Sequence, residues 1–246
     1  MIDPEFEKWA TGFSGSDGGD IGAPQNPSIW FCGIEWGGGH NNDEQELRAI
    51  FAENVGMPAE GYSDDEVMPA WKRNLAYIFN WQAMKLLAAI NGESVSAYKS
   101  FAEQAKPFVK DEKGYYKMNL FPLAFRNTTH QLWQEAFAKT TGFERKQEYI
   151  DWIKLRRYPI MKSWTQSYVP KLIVCTGITY SSDFRKAFVD EDLEFNRETH
   201  DCRELQWVVN KNGTIVAVIP FMVNRYGLTR NVSIQKFGNR IREIIS

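Results

Sequence analysis

Two short apolar runs limit the fold of this chain more than any other feature: "SIWFCGI", residues 28–34, and "PKLIVCTG", residues 170–177. Each has the length of one strand, lacks a polar face, and reaches a glycine near its end. Such a strand must be covered on both sides, as parallel strands are when helices sandwich them. Helical segments do alternate with these runs. "NNDEQELRAIFAENVG" offers Asn and Asp caps, acids in its first turn, and Leu47, Ile50 and Phe51 on one face, with Gly56 suited to end it. "AWKRNLAYIFNWQAMKLLAAING" places Leu75, Ile78, Phe79, Ala83, Leu86 and Leu87 at helical spacing and stops at Asn91-Gly92.

The remaining segments fit the same scheme. "YKMNLFPLAF" predicts a strand that runs into a loop broken by Pro122. Two helical stretches cover 131–164, and "SSDFRKAFVD" starts another helix after "PKLIVCTG". "ELQWVVNKNGTIVAVIPF" reads as a hairpin around Asn212-Gly213, and the tail forms a helix on Ile234, Phe237, Ile241 and Ile244. Residues 1–27, rich in Gly, Ser, Asp and Pro from position 11, read as an irregular lead-in. With no repeat or linker, the expectation is one domain over 1–246: an α/β fold, a three-layer α/β/α sandwich with a mainly parallel central sheet. Ligands of such sheets sit outside the carboxyl ends of the strands. The loops at 33–40, 119–127, 177–183 and 219–231 are therefore expected to share one rim.

Composition narrows the function classes. The chain is 43% apolar and 14% aromatic with nine Trp, enough for a sizeable core and for stacking surfaces. A net charge of −2 supplies no global attraction to nucleic acid or anionic lipid, so a nucleic-acid partner needs a local basic patch. No run approaches a membrane span, and "MIDPEFEKWA" lacks the basic and apolar regions of a signal peptide. Cys32, Cys175 and Cys202 are far apart and odd in number, the first two within buried runs, which suggests reduced thiols and a cytoplasmic location. His40, His130 and His200 are scattered and no CxxC occurs, so neither metal nor cofactor is expected. Without secretion the sequons at Asn127, Asn212 and Asn231 carry no meaning.

"GIEWGGGH", residues 33–40, is the most unusual loop: glycines beside a single carboxylate, Glu35. It matches no dinucleotide or phosphate-loop spacing and no nucleophile elbow. The glycines make either a tight turn with a solvated acid or a bare backbone that a ligand approaches.

A resemblance bears on that choice. "GIEWG" resembles the first motif of the uracil-DNA glycosylase superfamily, and "NLFPL", residues 119–123, is similar to the N-x-C-P-L segment of its single-strand-selective monofunctional branch. "PKLIVCTG" resembles the strand-plus-glycine segment that follows, and "NGTIVAVIP" falls where the strand leading to the H-P-S motif is placed. The order spans roughly residues 28–246, with a helical insertion before Asn119. The resemblance implies hydrolysis of the N-glycosidic bond of a base rotated out of DNA. It gives Glu35 the water-activating place and Asn119 the base-reading place. Gly33, Ile34 and Gly37 would lend backbone groups, with Phe121 and Pro122 beside the substrate. Trp36 either stacks on the base or packs at the rim.

The chain also departs from that pattern. Ile219-Pro220-Phe221 stands where the family carries H-P-S, so the donor for the departing anion is missing. Asn224 and Arg225 are substitute donors under this reading, and Arg225 otherwise contacts phosphate or faces solvent. Tyr226 and Leu228 are candidates for a wedge into the duplex. Arg225, Arg230, Lys236, Arg240 and Arg242 against Glu243, together with the basic run 144–162, could track a nucleic-acid backbone or form solvated helix faces. Three functions remain open: a glycosylase-like monomer acting on DNA, a nucleic-acid or nucleotide-binding module, and an unrelated α/β enzyme with a small anionic ligand.

Overall fold

The computed structural model describes residues 1–35, 37, 43–125 and 133–246. Seven strands form one mixed sheet in the order β1-β3-β2-β4-β7-β6-β5. They are β1 (Ser16–Gly19), β2 (Ile29–Gly33), β3 (Tyr115–Asn119), β4 (Leu172–Thr176), β5 (Asn196–His200), β6 (Arg203–Val209) and β7 (Ile215–Ile219). The central β3, β2, β4 and β7 are mutually parallel. β1 joins one edge antiparallel, and β6 and β5 extend the other edge antiparallel. The sheet is thus parallel only at its centre: the turns joining β5, β6 and β7 return the chain directly beside itself, and β1 runs against β3 at the opposite edge.

Helices cover both faces. The nine are α1 (Pro4–Thr11), α2 (Glu44–Phe51), α3 (Ala70–Asn74), α4 (Ile78–Ile90), α5 (Tyr98–Ala105), α6 (Glu135–Thr141), α7 (Lys146–Tyr168), α8 (Ser181–Phe188) and α9 (Asn231–Ile245), counted among the described residues. Alternation along β2 divides the core. Trp30 and Cys32 meet Phe6, Phe51, Tyr149 and Phe184 from α1, α2, α7 and α8. Ile29 and Phe31 meet Leu86, Phe101 and Phe237 from α4, α5 and α9. An all-apolar strand is what two such cores require. Cys32 and Cys175 lie opposite each other in register as free, buried thiols, and burial pushes both thiols up.

Three expectations need correction. Residues 1–27 are not irregular: Asp3 caps α1 by accepting from the amides of Glu5 and Phe6 at 2.9 and 3.1 Å, and Phe6 and Trp9 bury themselves in the first core. β1 was obscured by its glycines, which rarely favour strands. Gly19 sits at φ +107°, and a Cβ there would stand 2.4 Å from the Tyr115 carbonyl oxygen. The expected helix over 70–92 is two helices, because the chain turns extended at Tyr77. That break lets buried Asn80 donate to Asn74 and accept from Lys117 at 2.7 Å, which a continuous helix would leave unsatisfied. The helix after the glycine loop ends at Phe51, well before Gly56, as the Val55 carbonyl turns away to accept from Phe13 at 2.8 Å.

β5, "NRETH", was not expected from its sequence because it has no apolar face. Its Glu198 carboxylate instead accepts from Arg240 of α9 at 2.7 and 2.8 Å and from the Trp207 indole of β6 at 2.8 Å, fastening the edge to the last helix. The Arg240 hydrogen bonds hold the Glu198 carboxyl down at about 2. A depressed folded value means that the stabilisation is complete above the ordinary carboxylate range and disappears as pH falls toward 2. Melting curves recorded from pH 6 down to 2 are therefore expected to show a shallower acid decline for Glu198→Gln than for the parent. Parallel declines would remove this role from Glu198.

Candidate active site

β2 leads onward to β3 on one side of it, whereas β4 leads toward β7 on the other. Between β2 and β4 the outgoing loops therefore part, and that is where an open α/β sheet leaves a crevice. A cavity of about 510 Å³ occupies the place, within the usual range for small-molecule sites. Ile34, Glu35 and Gly37 line it after β2, Gly177 to Tyr180 after β4, and Pro220, Phe221, Asn224, Tyr226 and Gly227 after β7. Phe125 completes it from the segment after β3. All four expected loops contribute, and four of the lining residues, Phe125, Tyr180, Phe221 and Tyr226, are aromatic.

Among the described residues Glu35 is the charged group of this lining. Its side chain is only 8% exposed, with Oε2 3.7 Å from the Lys146 ammonium at the start of α7. Its Oε1 is buried without a hydrogen-bond partner among the described residues. Burial raises the carboxyl and the Lys146 charge opposes this, leaving it at about 7. A carboxyl balanced there can take a proton from a bound water near neutrality. Lys146 itself is 2% exposed, its ammonium 3.6 Å above the Phe125 ring, and burial lowers its affinity for the proton. Three residues further along α7, the Tyr149 hydroxyl accepts from the Leu123 amide at 3.4 Å, holding the segment that carries Phe125.

Asn119 does not join Glu35. Its side chain continues the Lys117 side of β3, toward α4, whereas Glu35 turns to α7. The Asn119 amide donates to the Gly15 carbonyl at 3.1 Å, alongside its own backbone N–H at 3.0 Å. It is buried and outside the cavity lining. The bare backbone at Gly33 has the same cause: a Cβ there would stand 2.3 Å from Asn119 Oδ1. This glycine makes room for an amide of the protein itself, not for a ligand. Gly37 is different, since an added Cβ at the cavity lip would meet nothing within 4 Å among the described residues.

The other expected residues divide in the same way. Phe121 is a core ring against Tyr149, Tyr158 and Tyr180, and Pro122 packs under Gly15, so both back the wall without lining it. Asn224 lines the cavity and is exposed, while Arg225 lies outside the lining with its guanidinium 5.8 Å from the Tyr226 ring. Leu228 is fully buried, so it cannot act as a wedge, but Tyr226 is 82% exposed. Trp36, His40, His130 and the sequon Asn127 lie outside the described residues.

The basic runs are largely consumed by ion pairs. Arg240 holds Glu198 and Glu243, Arg145 holds Glu148, Arg156 holds Glu7, and Lys154 holds Asp183. Among the described residues no His, Cys, Asp and Glu side chains gather as a metal site, and no helix is long and apolar enough to cross a membrane.

Sequence reasoning missed Lys146, Phe125 and Tyr180. Lys146 did leave a signal: a cation at the first position of a helix opposes the helix dipole, and such a local conflict often marks a site with another purpose. No known protein-family model matches the chain, and no curated protein matches it at a significant level.

Proposed function

We propose that the chain is a glycosylase-like hydrolase of N-glycosidic bonds, with a base of DNA or a related nucleotide received between Phe125, Tyr180 and Phe221. The observation that carries this reading is Glu35: a buried carboxyl brought to about 7, on the wall of a cavity with four aromatic lining residues at the sheet's switch point. The resemblance of "GIEWG" and "PKLIVCTG" to the glycosylase motifs supports it, because the loops carrying both border that cavity. In this reading Glu35 orients a water molecule. The water oxygen bonds to C1′ of the sugar, the C1′–N bond breaks with its electron pair leaving on the base, and Glu35 takes the water proton. Asn224, whose amide can both donate and accept, replaces Asn119 as the polar group offered to the base.

One observation favours a second reading. Ile219, a fully buried apolar side chain outside the cavity lining, stands where the related motif carries its anion-stabilising histidine. A site without that donor suits a module that binds a nucleotide without cleaving it. The deciding experiment incubates the full chain with single- and double-stranded oligonucleotides carrying deaminated and alkylated bases, then reads abasic sites by alkaline cleavage. Strand scission on any member supports hydrolysis. Binding with a steep salt dependence and no scission supports the module, and neither one removes nucleic acid as the partner.

A further inference from the structure

The first turn of a helix already carries positive charge from its unpaired amides, so an ammonium there is disfavoured unless something else holds it. Lys146 occupies that position in α7, is almost wholly buried, and has no hydrogen-bond partner among the described residues. Among the described residues two groups face it: the Phe125 ring at 3.6 Å and the Glu35 carboxylate at 3.7 Å. Phe125 lines the cavity and Lys146 does not, so the ammonium acts from behind the wall. The Tyr149 phenol is the other titratable group of α7 coupled to Glu35; burial and the Glu35 charge keep it neutral, and its oxygen already accepts from Leu123.

We propose that Lys146 is the positioning residue of this cavity: its ammonium aims the Glu35 side chain from behind the wall, without touching the ligand. The proposal rests on the reading of Glu35 as the water-directing group. Burial by itself drives Glu35 to its neutral form, and the Lys146 charge is the opposing influence. The ring face of Phe125 supplies the ammonium with a partner that cannot neutralise it, which leaves its charge available to Glu35.

Carboxyl-labelled glutamate in the full chain tests this by nuclear magnetic resonance, with Glu35→Gln identifying the Glu35 signal. Lys146→Met is expected to raise the Glu35 midpoint by at least one pH unit, a tenfold change in its acidity, and Lys146→Arg to return it toward the parent value. The parent protein supplies a second readout without any substitution: a labelled Lys146 nitrogen is expected to shift as Glu35 titrates. An unmoved Glu35 midpoint in Lys146→Met, or a Lys146 signal indifferent to the Glu35 titration, overturns the proposal. The oligonucleotide assay separates the two claims. A moved midpoint without base release keeps the pair and removes the hydrolytic reading, whereas base release with an unmoved midpoint keeps hydrolysis and makes Lys146 merely structural.

Discussion

Glu35→Gln is expected to slow base release by about 10²-fold or more, the usual contribution of a positioned general base. The amide keeps the shape and loses the ability to accept a proton, so the fold and any ligand binding should persist. The pH profile supplies the sign. The working form of Glu35 is the anion, and with its carboxyl at about 7 the parent rate rises through neutrality and levels off above it. The variant's residual rate should be flat over that range. A parent profile that falls through neutrality, or a variant as fast as the parent, would remove Glu35 from the chemistry. The pair also has a stability side. Replacing a buried ion pair by uncharged groups of similar size is often neutral or stabilising by about 1–4 kcal/mol. The double variant Glu35→Gln, Lys146→Met is therefore expected to melt no lower than the parent at pH 8 while losing activity. That combination would mark the pair as kept for function at the expense of stability.

The second large effect concerns Arg157, fully buried in α7. Its guanidinium donates to the carbonyls of Ala10, Gly12 and Ser14 at 2.6, 2.9 and 2.6 Å and to the Ser14 hydroxyl at 3.2 Å. No carboxylate pairs with it among the described residues; backbone oxygens at the end of α1 provide its solvation. Burial lowers it only to about 10, so it stays charged at neutral pH. Arg157→Met removes the donors and strands several buried oxygens, each worth about 1–3 kcal/mol when left unsatisfied. The expected loss is about 3–5 kcal/mol in urea unfolding. Arg157→Lys, with three donors in place of a planar fork, should recover part of it. A loss below 1 kcal/mol would mean that water replaces the clamp. The consequence reaches the site, because the next carbonyl, that of Gly15, holds Asn119 and so anchors the segment leading to Phe125.

Much of the architecture was legible wherever one residue type leaves a single physical choice. "SIWFCGI" and "PKLIVCTG" became β2 and β4 because uninterrupted apolar strands need cover on both faces. Asn212-Gly213 marked the β6–β7 hairpin because it tolerates the turn's backbone angles. β5 and β1 were not legible: one is polar and joins β6 through a turn at Asp201-Cys202 that carries no glycine, and the other is glycine-rich and pairs with β3 far along the chain.

The site divides along the same line. From the sequence alone came the loops that border the cavity and the presence of a lone carboxylate among glycines, since strand ends and turn residues are local properties. Which side chains share that cavity was a matter for the tertiary structure. A register of β3 beside β2 turned Asn119 toward Gly15, and α7 brought Lys146, 111 positions further along the chain, against Glu35. Burial and opposing charge are properties of that assembled neighbourhood, and they alone bring an ordinary glutamate to the edge of ionisation at neutral pH.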